Sequence, residues 1–216
     1  MDGVTERRWV VLLPVKAAAH SKSRLQPAFP DPDRLVTLVT AMRHDTLAAI
    51  RGTSEVVGVV AAADRSESAR GLGAGVEVVV QAEPGLNAAL RAADTYATER
   101  FPDAGRIAVV GDLPALTPSA LRDVLAAAAR HPRSFVPDLS GSGTTMLAVT
   151  VGALDPRFGP GSAARHALTA QALPADDAAR HDVDLPEDLS GTLAHAFGPA
   201  TRAALDETAG VGCPGS

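Results

Sequence analysis

Short apolar runs rich in valine and alanine alternate with longer segments of helical periodicity through most of this chain. Four runs read as strands, at residues 7–17, 55–64, 76–81 and 106–112. The segments between them carry apolar residues at the three- and four-residue spacing of amphipathic helices. Strands that alternate with helices build right-handed βαβ units, so the pattern predicts a parallel sheet flanked by helices.

The composition agrees with a sheet that is buried on both faces. Hydrophobic residues make up 46% of the 216 residues but aromatic residues only 3%, so valine, leucine and alanine must fill the core. These residues suit parallel strands with helices on both sides. A chain of this length fits one large domain. We expect a single domain over 1–207 and a disordered tail over 208–216.

Several helices carry start signals. Asp31 or Asp33 is available to cap a first long helix, and Thr117 followed by Pro118 is a favoured arrangement at a helix start. The predicted helices span 32–50, 64–73, 86–101, 117–132, 161–173 and 186–197. Residues 133–151 read instead as two strands joined by a Gly/Ser loop, which predicts an antiparallel edge. The expected fold class is therefore α/β, with a Rossmann-like mixed, mostly parallel sheet.

Charge, cysteine content and hydropathy argue against several classes of function. The net charge of −5 comes without a basic tract, which argues against nucleic acid as a partner. The lone Cys213 allows neither an internal disulfide nor a cysteine-based metal site. No stretch approaches the roughly 20 apolar residues of a membrane span, and the N-terminus lacks a signal-peptide pattern. We expect a soluble, cytoplasmic protein without a membrane partner.

The loop after the first strand collects positive charge. It places Lys16, Lys22 and Arg24 between a strand and a helix, although it matches neither a Walker A motif nor a dinucleotide fingerprint. Ligands of open α/β sheets bind beyond the carboxyl ends of the strands. This position favours binding of a triphosphate. The alternative is a solvated basic loop.

Carboxylates follow the fourth strand and recur far downstream. Asp112 comes directly after a glycine at the strand end, while Asp182 and Asp184 lie two apart in an extended segment. One or two carboxylates together with substrate phosphates are the usual ligands of Mg²⁺. The alternatives are that Asp112 only stabilises a turn and that Asp184 only caps a helix.

Two glycine-rich loops offer backbone N–H groups and hydroxyls. They lie at 140–145 and 157–166, and together they would hold a phosphate or carboxylate. Plain turns are the alternative. Arg165 and His166 either add charge to such a site or simply face solvent.

In order and spacing these motifs resemble the CofC/FbiD-type guanylyltransferases. The matching stretches are LLPVKAAAHSKSRL (12–25), PGLNAAL (84–90), VVGDLPAL (109–116), SGTTMLA (142–148), RFGPGSAARH (157–166) and DVDLPEDL (182–189). The resemblance implies a nucleotidyltransferase fold like that of molybdenum-cofactor guanylyltransferases and sugar nucleotidyltransferases (MobA/GT-A-like). It also implies an enzyme of coenzyme F-420 biosynthesis that couples GTP to a phosphorylated three-carbon acid and releases pyrophosphate.

The acid implied by the resemblance is phosphoenolpyruvate or 2-phospho-L-lactate, with 3-phospho-D-glycerate in some relatives. Two alternatives remain open at this point. One is a nucleotidyltransferase that acts on a sugar-1-phosphate or on molybdopterin, and the other is a non-catalytic GTP-binding module. Further expectations are a homodimer and transfer of a labile product to the next enzyme of the pathway.

The resemblance also implies roles for individual residues. Asp112 and Asp184 would hold Mg²⁺, and Thr144, Gly159 and Ser162 would contact the acid. The nucleotide-binding set is Lys16, Lys22, Arg24, Asn87 and Gly111, where Asn87 has a helix cap as its alternative role. The expected catalytic set is Lys16, Lys22, Arg24 and Asp112.

Overall fold

The described residues form one seven-stranded sheet with helices on both faces. In this computed structural model they are residues 7–15, 22–63, 68, 71–81, 83 and 85–209. The strands are β1 (Trp9–Val15), β2 (Val56–Ala63), β3 (Val76–Val80), β4 (Gly105–Val109), β5 (Arg133–Pro137), β6 (Thr144–Val149) and β7 (Gln171–Ala172). Their order across the sheet is β3-β2-β1-β4-β6-β5-β7.

The sheet has a parallel part and an antiparallel strand. β1 pairs in parallel with β2 and β4, and β2 pairs in parallel with β3. β6 runs antiparallel to both β4 and β5, whereas β7 is parallel to β5. The predicted mixed, mostly parallel sheet is confirmed.

Five α-helices accompany the strands in the described part of the chain. They are α1 (Pro32–Arg51), α2 (Leu86–Arg100), α3 (Pro118–Ala128), α4 (Ser162–His166) and α5 (Pro199–Ala209). The Asp31 side chain accepts a hydrogen bond from the Asp33 N–H at 3.0 Å, and Thr117 accepts one from the Ala120 N–H at 3.1 Å. Of the two candidate caps of the first helix, Asp31 is therefore the one used, and the Thr117 cap is confirmed.

The last third of the chain departs from the predicted helices. The helix predicted over 161–173 ends at His166, because the following residues return to the sheet as β7. The helix predicted over 186–197 is two 3-10 turns, Pro186–Leu189 and Leu193–Ala196, on either side of Gly191, whose φ of 86° interrupts a helix. The helix α5 was not predicted.

Two predictions fall largely on residues that are not described. Most of the helix predicted over 64–73 lies outside the described residues. So does most of the predicted tail, although α5 itself continues to Ala209.

β1 lies at the centre of the core and is buried on both sides. Alternate side chains such as Val11 and Leu13 pack with α1 and α3 on one face. Val10 and Leu12 pack with α2 on the other face. Burial on both faces confirms the composition argument.

A buried ion pair fastens α2 to β4. Arg106 Nε lies 2.6 Å from the Asp94 carboxylate, whose second oxygen accepts a hydrogen bond from the Leu154 N–H at 2.9 Å. Arg106 also donates to the Gly152 carbonyl. The pair therefore fixes the segment that leads from β6 towards the glycine-rich loop at 157–166.

We expect Asp94→Asn to lower the free energy of unfolding by about 3 kcal/mol, because the substitution leaves the Arg106 charge buried without its partner. Urea denaturation measures the change. Glu99→Gln, at an exposed position of the same helix, is the matched control and should change stability by less than about 0.5 kcal/mol. Equal effects of the two substitutions would contradict this account.

Candidate active site

Two neighbouring cavities open at the carboxyl ends of β1 and β4. The first has a volume of about 430 Å³ and the second of about 590 Å³. Their shared wall consists of Arg24, Leu86, Val110, Asp112 and Asp184. A group on this wall faces both cavities, so it can act on two ligands at once.

The backbone brings the two predicted metal carboxylates together. The Val183 N–H donates to the Asp112 carbonyl at 3.1 Å, which joins the downstream segment to the end of β4. The Asp188 carboxylate accepts from the N–H groups of Asp184 at 2.9 Å and Leu185 at 2.7 Å, which holds the turn after Asp184. Asp112 and Asp184 therefore converge although they are far apart in sequence, as predicted.

Lys22 bridges these two carboxylates. Its ammonium group forms an ion pair and a hydrogen bond with both Asp112 and Asp184. The Lys22 side chain is 12% exposed, that of Asp112 19% and that of Asp184 49%. Both carboxylates are thus engaged with a cation, whereas the turn Pro186–Leu189 takes Leu185 as its N-cap.

The charges in this cluster perturb one another. The pKa of Lys22 is raised, because the attraction of Asp112 and Asp184 outweighs the opposite effect of burial. Burial and the charges of the same two carboxylates raise the pKa of Asp182 to about 7. Asp182 lines the second cavity. The sequence offered it as a carboxylate beside Asp184, but the resemblance implied no role for it. The neighbouring carboxylates of Asp112 and Asp184 therefore favour a cation placed between them.

Arg43 is a functional candidate that the sequence analysis missed. It extends from α1 to line the first cavity with Lys22 and Arg24. Burial lowers the pKa of its guanidinium group, and the Asp112 charge opposes that effect. The signal was present in the sequence, because Arg43 lies four residues from both Val39 and Leu47 on the buried face of α1.

Asp138 shapes the first glycine-rich loop. Its carboxylate accepts hydrogen bonds from the N–H groups of Ser142 at 3.0 Å and Gly143 at 2.9 Å. A Cβ atom on Gly143 would overlap the same carboxylate, so only glycine fits there. Loop residues 140, 142 and 143 line the second cavity next to Thr144.

The second glycine-rich loop faces the first one across this cavity. Gly159 has a φ of 124°, a backbone conformation that favours glycine. Ser162 donates a hydrogen bond to the Thr144 hydroxyl at 3.1 Å, and Thr144 also lies 2.9 Å from His166 Nδ1. His166 is fully buried, so the expectation that it adds charge or faces solvent was wrong.

Asn87 holds the second loop in place. Its amide N–H donates to the Phe158 carbonyl at 3.0 Å, and its amide oxygen accepts from the Phe158 N–H at 2.8 Å. Both ends of the amide are thus bonded to the loop backbone. A contact of Asn87 with a nucleotide remains a prediction.

Most of the other predicted site residues line one of the two cavities. Lys22, Arg24, Gly111, Asp112 and Asp184 line the first cavity. Thr144, Gly159 and Ser162 line the second. Lys16 lies outside the described residues. The roles that the resemblance implies for these residues remain predictions.

In the described part of the chain, no helix combines the length and the apolar character that a membrane crossing requires.

Comparison with known proteins gives a consistent assignment. Residues 9–207 match the family described as "Guanylyl transferase CofC like". A phosphoenolpyruvate guanylyltransferase from Streptomyces scabiei is 41% identical over 207 residues, which cover 91% of this chain and 95% of the relative. One from Thermomonospora curvata is 42% identical over 204 residues, which cover 92% and 89%.

Solved structures support the fold. A Desulfovibrio desulfuricans protein assigned to the nucleotide-diphospho-sugar transferases superposes with a TM-score of 0.72 at 14% identity, covering 94% of this chain and 95% of its own. A 4-diphosphocytidyl-2C-methyl-D-erythritol synthase superposes with a TM-score of 0.58 at 15% identity, covering 84% and 95%. The family match over nearly the whole chain and the close relatives agree with this fold. The chain therefore belongs to the CofC-like guanylyl transferase family and is an enzyme of the nucleotidyltransferase class.

Proposed function

We propose that this enzyme couples GTP to phosphoenolpyruvate in the cytoplasm, as a step of coenzyme F-420 biosynthesis. An oxygen of the phosphoenolpyruvate phosphate attacks the α-phosphorus of GTP. The bond from the α-phosphorus to the β-phosphate breaks, giving enolpyruvyl-diphospho-guanosine and pyrophosphate. The names of relatives that are 41% and 42% identical support this choice of acid.

The observation that carries the proposal is the shared wall of the two cavities. With the nucleotide in the first cavity and the acid in the second, the reacting phosphates meet at Asp112 and Asp184. Lys22 and Arg43 suit the first cavity to a polyphosphate. Thr144, with the glycine-rich loops, suits the second to a small anion.

Asp112 and Asp184 fit Mg²⁺. One carboxylate oxygen of Asp112 is buried and has no hydrogen-bond partner among the described residues, and the other already attracts a cation. In the described ranges no group of three or more acidic, histidine or cysteine side chains is arranged to hold a metal ion by itself. Two carboxylates completed by substrate phosphates are the usual ligand set of Mg²⁺. When bound there, the ion would neutralise charge on the phosphates.

The chain's own residues supply position and charge. A substrate phosphate is ionised at neutral pH, so the attack needs little help from a general base. Arg24 lies on the shared wall, so its guanidinium group faces whichever cavity holds the phosphates. Lys22 lies beside it. Holding two reactants in line in a preformed electrostatic environment supplies much of the rate acceleration in such a transfer.

Pyrophosphate release tests the function directly. GTP and Mg²⁺ are combined with phosphoenolpyruvate, 2-phospho-L-lactate or 3-phospho-D-glycerate, and GTP alone is the control. We expect the highest turnover with phosphoenolpyruvate. Coupling to the next enzyme of the pathway captures a labile product. Turnover only with a sugar-1-phosphate or molybdopterin, or binding of GTP without turnover, would replace this proposal.

We expect Asp112→Asn and Asp184→Asn each to lower turnover by at least about a hundredfold, because each removes a charged ligand of the Mg²⁺ ion that would neutralise the reacting phosphates. Initial rates over a Mg²⁺ titration measure the loss, and thermal melting verifies the fold. Asp123→Asn, on an exposed face of α3, is the matched control and should retain full activity. An active Asp184→Asn enzyme would remove that residue from the metal site.

Lys22→Met should make the stability of the protein more dependent on bound Mg²⁺. Without the ammonium group Asp112 and Asp184 repel each other, so the metal-free protein should lose about 1–2 kcal/mol of unfolding free energy. Added Mg²⁺ should then stabilise the variant more than the unmodified protein. Thermal melting with and without Mg²⁺ checks this, with the exposed Arg202→Met as control. Equal stabilisation of both proteins by Mg²⁺ would show that Lys22 and the ion do not share a site.

A further inference from the structure

His166 lies beneath the second cavity and is fully enclosed by the fold. Its exposure is 0%, and its ring packs against Phe135 and Phe158 with centroid distances of 5.9 and 5.2 Å. A buried imidazole needs partners for both ring nitrogens. Here Nε2 lies 3.0 Å from the Arg157 backbone nitrogen, and Nδ1 lies 2.9 Å from the Thr144 hydroxyl oxygen.

These two contacts determine the tautomer of the ring. The Arg157 backbone N–H can only donate, so His166 Nε2 must accept and therefore carries no hydrogen. A neutral ring with a bare Nε2 has its hydrogen on Nδ1. His166 Nδ1–H therefore donates to Thr144. A doubly protonated ring would point its Nε2–H at the Arg157 N–H, and two donors would then face each other.

The electrostatic surroundings agree with a neutral ring. Burial, followed by the charges of three nearby arginines, lowers the pKa of His166 to about 4, and Asp155 opposes them only in part. The arginines are Arg133, Arg157 and Arg165. The neutral His166 ring thus orients a hydrogen bond on this side of the site and adds no charge to it.

The tautomer sets the direction of the Thr144 hydroxyl. Its oxygen accepts from His166 and also from the Ser162 hydroxyl at 3.1 Å. Both lone pairs are then used, and the hydroxyl hydrogen has no acceptor among the described residues. Thr144 lines the second cavity, so this hydrogen is left for a ligand there.

We propose that His166 is a positioning residue, which holds the Thr144 hydroxyl as an obligatory hydrogen-bond donor to an anionic oxygen of the phosphorylated acid. The proposal rests on the proposed function for the identity of that acid. It assigns no contact between His166 and substrate, and every effect passes through Thr144.

A matched pair of variants separates this role from simple packing. His166→Asn keeps an amide N–H near the position of Nδ1, whereas His166→Gln keeps an amide oxygen near Nε2. We expect His166→Gln to raise the KM for phosphoenolpyruvate about tenfold, as for loss of a hydrogen bond to a charged group. The KM for GTP should change less than about twofold, and His166→Asn should restore most of the affinity for the acid. Equal effects of the two variants, or parallel rises of both KM values, would overturn the proposal.

Thr144→Val tests whether the effect passes through the hydroxyl. It should raise the KM for phosphoenolpyruvate by a similar factor. In that background His166→Gln should add less than about twofold, because residues that act through one contact are not additive. Full additivity would contradict the proposal.

A spectroscopic measurement keeps the test independent of activity and of variants that fail to fold. In the ¹⁵N spectrum of the unmodified protein at pH 7, His166 should show a protonated Nδ1 and a bare Nε2. An Nε2–H tautomer or an imidazolium would overturn the proposal even if phosphoenolpyruvate is turned over. If no phosphorylated acid reacts, the proposed function fails, and the spectrum still decides the direction of the His166 hydrogen bond.

Discussion

Two negative charges held side by side in a partly buried setting are the constraint on which this site depends. The backbone hydrogen bond from Val183 to Asp112 holds the segments that carry the two carboxylates together, so they cannot relax by moving apart. Such a pair requires a cation, since ionised groups removed from water are costly unless they are paired. Lys22 meets this requirement. Burial, together with the charges of Asp112 and Asp184, raises the pKa of a third carboxyl, that of Asp182.

The antiparallel strand explains how two cavities come to lie side by side. β1 and β4 are parallel and present their carboxyl ends at one edge of the sheet. β6 runs the opposite way next to β4, so its first residue, Thr144, lies at that same edge. The Val110 N–H donates to the Thr145 carbonyl at 3.0 Å, which continues the pairing towards Asp112. A fully parallel sheet would place the start of this strand at the opposite edge.

The sequence predicted those parts of the molecule that depend on local signals. Strand periodicity, the caps Asp31 and Thr117, and the position of Asp112 after a buried strand all follow from neighbouring residues. The rule that ligands bind at strand carboxyl ends then placed the candidate residues at one edge. The motif resemblance added the pairing of Asp112 with Asp184.

What the sequence did not predict depends on contacts between distant residues. The segment after His166 carries a helical pattern, yet pairing of β7 with β5 takes it back to the sheet. The start of α5 is held by Asp45, whose carboxylate accepts from the Thr201 N–H at 2.7 Å, and that partner is 156 positions away. The burial of His166 beneath Thr144 likewise depends on residues that are distant in sequence, since its ring contacts Phe135.

The loop that Asp138 shapes has a consequence for substrate choice. Because its carboxylate already bonds the N–H groups of Ser142 and Gly143, this part of the loop loses its conformational entropy when the protein folds and not when a ligand arrives. A preformed cavity wall binds a ligand without a cost in conformational entropy, but it also does not adapt to a longer or bulkier ligand. Divergence towards a different acceptor within this fold would therefore have to begin by loosening the pairing of Asp138 with Gly143.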